Sequence, residues 1–261
     1  TKSVVSLLVG IAVDRGLIKD LDASIFSYFP EYADLRSPEK DRITLRSLLT
    51  MSDGLDSASL LEPGGHSLDP DPYRSILETK LIREPGVAFE YNNATTELIG
   101  AVLQKVTGKT VDILAREEIL APLGIHDSDW DRRLGNGYPR ASSGLSLRPR
   151  DWAKIGQLVL NHGAWQGRQI VSASWVAQST AVQITAGTST RYGFQWWLGR
   201  SPLNDHAVDW VAALGFNAQK IIVVADDDLI VVFNASRESE AMVAPEIELL
   251  DNYILPAILR R

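Results

Sequence analysis

Three short stretches of the sequence carry side chains that can move protons or hold a polar substrate. Lys2 begins an apolar segment, Tyr91 and Asn93 stand just before another, and Gly215 leads into a strand-like run. A lysine amine and a tyrosine phenol can exchange a proton with a reacting group, and an asparagine amide can hydrogen-bond to either. Each stretch is weak evidence by itself. A lysine at a helix start is usually solvated, a Y-x-N tripeptide can occur by chance, and a glycine before a strand is common.

The helices that would position these residues follow from the hydrophobic pattern. Residues 1–16 keep apolar side chains at helical spacing and end at Gly16, which predicts a helix with Lys2 in its first turn. A second helix is predicted at 95–108, with Thr95 or Thr96 as its N-cap. Four more helices are predicted by the same spacing, at 111–124, 148–163, 172–180 and 243–260.

The C-terminal part changes to a strand pattern. Runs of β-branched and aromatic residues predict strands at 191–199, 206–215 and 218–236. The last of these is expected to fold into a hairpin with the three aspartates 226–228 at its turn. Upstream, the Pro- and Gly-rich stretch 62–72 is typical of a surface loop.

The order of these elements predicts an α+β fold, because helices come first and an antiparallel sheet follows. We expect one domain over 1–261. Its mostly helical region is predicted at roughly 20–185, and its antiparallel sheet and C-terminal helix at roughly 186–261.

Composition limits the classes of partner. The 26 basic and 33 acidic side chains give a net charge of −7, which argues against nucleic acid or an anionic membrane surface as the main partner. No apolar run approaches the length of about 18 residues that a membrane span needs. The absence of cysteine excludes disulfides and thiolate sites, and no two of the four histidines have metal-site spacing. We therefore expect neither a metal nor a cofactor.

Taken together and in this order, the segments resemble the serine β-lactamase and penicillin-binding-protein superfamily. The likeness is greatest to its class-C-like branch of esterases, D-aminopeptidases and 6-aminohexanoate-dimer hydrolases, and it covers nearly the whole chain. Besides Y-N-N at 91–93, the segments that carry the resemblance are LLTMSDGLD, APLGIHDSDW, GLSLRPRDWAKIGQLVLNHGAWQGRQIVSASWV, YGFQWWL and ALGFNAQKIIVV.

The first motif of this superfamily is S-x-x-K, and Lys2 resembles its lysine. The motif serine would then lie two positions before Thr1. Residues three apart share a helix face, so the lysine amine can reach the serine hydroxyl. The resemblance implies that Lys2 is the base that activates this serine and that Tyr91 shuttles protons.

The resemblance also implies the groups that would bind the substrate. Asn93 would hold Lys2 and a substrate amide, the backbone N–H of Phe216 would be one oxyanion donor, and Gln219 and Trp196 would contact the substrate. Five alternatives remain open. Lys2 is a solvated terminal residue, Tyr91 is a plain core residue, or Asn93 acts only as a helix N-cap. Gln219 has only a structural role, or Trp197 rather than Trp196 faces the site, since neighbouring strand residues point to opposite faces.

The implied function is a serine hydrolase that cleaves an ester or amide bond in a small molecule or peptide through an acyl-enzyme. The β-lactamase motif K-T-G is absent, GFNAQ stands in its place, and Ala218 occupies a position where glycine is common. The absence of the K-T-G lysine, which would pair with a lactam carboxylate, favours a less anionic substrate. The alternatives are a true β-lactamase and a non-catalytic protein that binds a peptide or cell-wall fragment. By resemblance, the bacterial cytoplasm and periplasm both fit, and the oligomeric state is open.

The resemblance further implies a β-lactamase/transpeptidase-like fold, in which an antiparallel sheet of about five strands is flanked by helices and joined by an all-helical region. The sequence shows only about three strands. We therefore expect the chain to be N-terminally incomplete, with two strands and the serine upstream of Thr1. An isolated 1–261 polypeptide should then expose a sheet edge and be prone to aggregation.

Overall fold

The computed structural model describes residues 1–56, 65–203, 206–235 and 245–258. Its helical part comes first along the chain and its main sheet second, as the pattern predicts. The α-helices are α1 (Lys2–Asp14), α2 (Leu45–Leu49), α3 (Gly65–Leu68), α4 (Pro72–Glu78), α5 (Asn93–Thr107), α6 (Val111–Ala115), α7 (Pro149–Leu160), α8 (Ala173–Ser179), α9 (Pro245–Leu249) and α10 (Leu255–Ile258). Short 3₁₀ turns lie at Ile25–Ser27, Pro30–Leu35, Lys40–Arg42 and Ala225–Asp227.

Helix α1 is the central helix of the molecule. All its residues from Ser3 to Ala12 are buried, and it packs against α5, α6 and α8. The approach of α8 is close, because a Cβ on Gly10 would lie 2.2 Å from the Trp175 ring. The chain leaves the helix at Gly16 with φ of +68°, so the predicted stop is confirmed.

The main sheet has six antiparallel strands in the order β10-β9-β8-β7-β6-β5. Within the described residues, β10 pairs with β9 alone. The strands of this sheet are β5 (Ile184–Thr185), β6 (Arg191–Tyr192), β7 (Trp197–Leu203), β8 (His206–Gly215), β9 (Gln219–Val224) and β10 (Leu229–Phe233). Two small hairpins lie in the helical part and consist of β1 (Ser128–Trp130) with β2 (Leu145–Leu147) and β3 (Ala164–Trp165) with β4 (Arg168–Gln169).

Alternating residues of β9 divide the molecule into two apolar cores. Ile221 and Val223 join the large core that contains α1, α5 and α7, whereas Ile222 and Val224 join a smaller one with Leu250 of the C-terminal helical segment. The sheet is therefore covered by helices on both faces. None of the helices in the described ranges is long and apolar enough to cross a membrane.

Several sequence predictions differ from the structure in detail. The strand predicted at 191–199 is a hairpin, because Gln195 takes φ of +63° and Tyr192 pairs directly with Trp197. The main sheet therefore has more strands than the sequence pattern shows, because 191–199 divides into β6 and β7 and because β5 adds a further short strand. The hairpin predicted within 218–236 is confirmed, with its turn at 225–228.

Two helix predictions also change. The segment predicted at 111–124 is α-helical only to Ala115 and then widens into a π-helical turn at Arg116–Leu120. A second π-helical turn, Leu250–Ile254, joins α9 to α10. Residues 57–64 lie outside the described residues, but Gly65–Leu68 is a helical turn rather than the predicted loop.

Candidate active site

Lys2 is the first residue of α1, and its amine is held at two points. Its Nζ donates a hydrogen bond to Asn93 Oδ1 at 2.7 Å and to the backbone oxygen of Ser142 at 3.0 Å. The same Nζ lies 4.9 Å from the centre of the Tyr91 ring. The structure therefore brings Lys2, Tyr91 and Asn93 together, although about ninety positions separate them along the chain.

The start of α5 determines where Asn93 lies. Asn92 is the N-cap, and its Oδ1 accepts a hydrogen bond from the Thr95 N–H at 2.8 Å. The expectation that Thr95 or Thr96 caps this helix is wrong, because Thr95 is the donor rather than the cap. The alternative that Asn93 acts only as the cap is wrong too. Asn93 begins the helix proper, and its side chain is free to bind Lys2.

A set of four aromatic rings lies beside the Lys2 amine. Tyr91 is 43% exposed and its ring centre lies 5.7 Å from that of Trp197, which also contacts Phe89 and Tyr192. Trp196 has no exposed surface and belongs to the large core. The expectation that Trp196 contacts the substrate is therefore corrected: Trp196 is buried just before β7, and Trp197, the first residue of β7, contacts Tyr91.

The turn between β8 and β9 contains the other expected binding residues. Gly215 pairs with Gln219 at its base, and Phe216 is exposed at its tip. The Gln219 side chain donates to the backbone oxygens of Asn217 in the turn and of Ala235 just after β10, so its amide ties the turn to a neighbouring segment. In the described part of the chain, no hydrogen bond joins Phe216 or Gln219 to Lys2 or Tyr91. The oxyanion role of the Phe216 N–H stays a prediction.

Ala218 explains why glycine suits this turn. Asn217 and Ala218 both have left-handed backbone conformations, with φ of +53° and +66°. An alanine pays a steric cost there that glycine does not. The Ala218 side chain is buried, so its methyl group points into the molecule rather than towards solvent.

Sequence analysis missed Glu97, which lies one turn after Asn93 on α5. Its carboxylate is 1% exposed and accepts the backbone N–H of Ala141 at 2.7 Å and that of Ser142 at 3.2 Å. Burial raises the pKa of Glu97, and this rise is opposed by Ser142, the Ala141 N–H and Arg140. The signal was a carboxylate on the otherwise apolar face of a predicted helix.

Asp53 is a second buried carboxyl group near the start of α5. It accepts the Thr95 hydroxyl at 2.5 Å and the Leu55 N–H at 3.0 Å. Burial raises the pKa of Asp53, and the hydrogen bonds from Thr95, Leu55 and Asn92 oppose that rise. Asp53 thus ties the segment after α2 to the cap that presents Asn93.

Gln195 joins three elements behind the site. Its backbone oxygen accepts the Ser3 hydroxyl of α1 at 2.7 Å, and its Oε1 accepts the Thr96 hydroxyl of α5 at 2.9 Å. Its Nε2 donates to the backbone oxygens of Leu48 and Leu49 at the end of α2. The helices that carry Lys2 and Asn93 are therefore cross-linked by one residue.

The side chains gathered here are of types that exchange protons. Within the described ranges, no group of three or more His, Cys, Asp or Glu side chains is placed to hold a metal ion. What the site offers is an amine fixed by two acceptors at the N-terminus of a buried helix, with the partly exposed Tyr91 ring 4.9 Å from it. A helix N-terminus favours negative charge, as on an oxyanion.

Comparison with known proteins agrees with this architecture. A curated 6-aminohexanoate-dimer hydrolase of Paenarthrobacter ureafaciens is 24% identical over 261 residues, which cover 89% of this chain and 63% of that protein. The chain thus spans less than two thirds of that relative's length.

Solved structures show the same fold. A structure named as a candidate 6-aminohexanoate-dimer hydrolase from Bacillus anthracis superposes with a TM-score of 0.83 at 20% identity, covering 99% of this chain and 71% of that one. A family VIII carboxylesterase superposes with a TM-score of 0.71 at 20% identity, covering 91% of this chain and 76% of that one. The β-lactamase/transpeptidase-like fold expected from the sequence is confirmed. The Beta-lactamase family matches residues 1–253, and the chain therefore belongs to that family.

Proposed function

We propose that this chain is the catalytic part of a serine hydrolase that cleaves an ester or amide bond through an acyl-enzyme. The observation that carries the proposal is the fixed amine of Lys2, held at 2.7 Å by Asn93 and lying beside the Tyr91 ring at the first turn of α1. Such a base beside a helix N-terminus suits the activation of a hydroxyl nucleophile. Similarity to the Paenarthrobacter hydrolase supports it.

The nucleophile is a serine three positions before Lys2, which is two positions before Thr1. In an S-x-x-K helix the serine and the lysine, three residues apart, share one face, which brings the serine hydroxyl to the lysine amine. The serine Oγ bonds to the substrate carbonyl carbon while its proton passes to Lys2. The leaving group departs with a proton delivered through Tyr91.

Water completes the cycle by the same route. It attacks the acyl carbon, gives up a proton to Lys2, and the acid product leaves as the serine hydroxyl is restored. The oxyanion formed in each step accepts hydrogen bonds from the serine N–H and, on the opposite side, from the Phe216 N–H. One such donor stabilises the transition state by roughly 3 kcal/mol.

The β8–β9 turn favours an uncharged substrate over a β-lactam carboxylate. Residues 216–218 contain no cation, and the nearest lysine, Lys220, forms an ion pair with Glu246 at 3.2 Å. With that lysine engaged elsewhere, no positive side chain of this turn is available to pair with a carboxylate. Neutral esters and amides are therefore the proposed substrates.

The test is active-site labelling of the full-length protein. Incubation with a fluorophosphonate should add one adduct, seen by intact-mass spectrometry, and peptide mapping should place it on a serine two positions before Thr1. Lys2→Ala should slow both labelling and hydrolysis of a chromogenic ester by at least ~100-fold.

Lys105→Ala is the matched control, because Lys105 pairs with Glu31 at the surface, far along α5 from Asn93. It should label and turn over like the parent. A folded full-length protein that neither labels nor hydrolyses any ester or amide would overturn the proposal, as would a residue other than serine at that upstream position.

A further inference from the structure

We propose that Glu97 is a positioning residue that fixes the direction of the Lys2 amine by holding the backbone of Ala141 and Ser142. The contacts are visible without reference to any reaction. Their consequence for catalysis rests on the proposed serine-hydrolase function.

The first step is the link between Glu97 and the segment after Arg140. The two carboxylate oxygens of Glu97 accept separate backbone N–H groups, from Ala141 at 2.7 Å and from Ser142 at 3.2 Å. Arg140 Nε lies 3.6 Å from the same carboxylate. Two N–H donors and one cation converging on a buried carboxylate leave the segment little freedom to shift.

The second step is the link from that segment to Lys2. Ser142 gives its N–H to Glu97 and offers its backbone oxygen to Lys2 Nζ at 3.0 Å. The N–H and C=O of one residue are joined through a short stretch of backbone. A displacement of Ser142 away from Glu97 therefore moves an acceptor of the Lys2 amine.

The third step is that both acceptors of Lys2 depend on one helix. Asn93 supplies the first acceptor directly, and Glu97, four residues later on the same face of α5, secures the second through Ser142. The two acceptors are thus fixed relative to each other. They cannot drift apart without a deformation of α5 or a break between Glu97 and Ser142.

Two fixed acceptors define where the amine can react. A neutral lysine nitrogen carries one carbon, two N–H groups and one lone pair in a tetrahedral arrangement. When both N–H groups are donated to Asn93 and Ser142, the lone pair has a single direction left. In the protonated amine the third N–H takes that direction. Glu97 thereby helps to set the line along which Lys2 receives and returns a proton.

Close packing supports the same conclusion independently. Gly100 lies one turn after Glu97, and a Cβ at that position would stand 2.6 Å from the Cβ of Ala141. The segment therefore sits directly on α5, in a place that only a glycine leaves open. Glu97 and Gly100 together determine how closely Ser142 approaches Lys2.

The test uses Glu97→Gln in the full-length protein. Glutamine keeps the shape of the side chain but turns one acceptor into a donor, which then faces a backbone N–H. We expect kcat for a chromogenic ester to fall about 10- to 100-fold while KM changes less than about twofold, because the base is misdirected but the binding surface is intact.

Glu31→Gln is the matched control, because Glu31 pairs with Lys105 at the surface. It should keep the parent kcat and KM. Gly100→Ala is a second route to the same effect, since it displaces Ala141 and leaves the Glu97 carboxylate in place. It should show the same split between kcat and KM.

A measurement that needs no activity separates this proposal from the proposed function. The exchange of Lys2 Nζ protons with water, followed by heteronuclear NMR, should be faster in Glu97→Gln than in the parent and the Glu31→Gln control. If the parent proves inactive, the hydrolase proposal fails while this exchange still decides the role of Glu97. A folded Glu97→Gln protein with unchanged exchange and unchanged kcat overturns the positioning role, as does a kcat loss that only follows a loss of folded protein.

Discussion

At the scale of single residues, adjacent asparagines have separate tasks. Asn92 ends the extended segment and caps α5, whereas Asn93 turns its side chain to the Lys2 amine. The same side-chain amide serves folding at one position and the site at the next. The two side chains point in different directions because Asn92 has extended backbone angles, whereas Asn93 is the first residue of the helix.

Alanine substitutions at these two positions should separate the two tasks. Asn93→Ala removes an acceptor of Lys2 and should lower kcat by about 100-fold, with little effect on the free energy of unfolding. Asn92→Ala removes the cap and should lower the free energy of unfolding by about 1 kcal/mol. Ester turnover and urea unfolding measure the two effects. Equal losses of stability in both variants would contradict this division.

The sequence indicated Lys2, Tyr91 and Asn93 through the resemblance of their segments to a known superfamily, and the structure brings the three side chains together. Each sits at a helix boundary that the hydrophobic pattern predicts. Glu97 and Ser142 were missed because their link to Lys2 depends on a loop that returns to α5 from more than forty residues away. No local pattern specifies which loop lies against a helix.

At the scale of elements, the segment after α2 shows how turns support the site. Gly54 has φ of +80°, and its backbone oxygen accepts the N–H groups of Ile82 and Arg83. This turn carries Asp53 to the start of α5. Its geometry needs glycine for two reasons: the left-handed conformation, and the Arg83 oxygen that would lie 2.3 Å from a Cβ.

Comparison of two glycines should separate these reasons. Gly108 has a similar φ of +71° but nothing within 4 Å of its Cβ position. Gly108→Ala should therefore cost only the conformational strain, about 1 kcal/mol. Gly54→Ala should cost about 1–3 kcal/mol more, because the Arg83 backbone must move. Urea unfolding of both variants measures the two losses of unfolding free energy. Equal losses would show that the Arg83 backbone moves away from the new Cβ at no cost, contrary to this account.

Helices and strands were predicted well where the hydrophobic residues keep one spacing throughout the segment. They were predicted poorly where the backbone changes conformation inside such a segment. The strand expected at 191–199 failed because Gln195 takes a left-handed conformation, which is uncommon for a residue other than glycine. The π-helical turn at Arg116–Leu120 likewise leaves no separate mark in an amphipathic pattern. Tertiary contacts, rather than local preference, decide both.

At the scale of the whole molecule, the burial of Asp53 links stability to pH. Burial raises the pKa of Asp53 above its ordinary value of 3.8, so the folded protein keeps this proton to a higher pH than the unfolded chain does. The stabilising contribution is complete below the unfolded pKa and is lost as pH rises through the folded pKa.

Asp53→Asn should remove this dependence. The free energy of unfolding of the parent, minus that of the variant, should fall as pH rises through this window. The fall should be about 1.4 kcal/mol for each pH unit that separates the unfolded pKa of Asp53 from its folded pKa. Urea unfolding across a pH series measures it.

Asp209→Asn is the contrasting control. Hydrogen bonding to Arg200 lowers the pKa of Asp209, so its contribution is lost as pH falls, and its exposure makes the effect small. A difference between parent and Asp53→Asn that stays constant with pH would contradict the account.

Gln195 has a consequence for how this protein can vary over evolutionary time. Its left-handed backbone suits glycine, but glycine would abandon the amide bonds to Thr96, Leu48 and Leu49. Asparagine also tolerates a left-handed backbone, but its shorter side chain would not reach these three partners. Substitution at this position is therefore tied to compensating change at its partners on other helices.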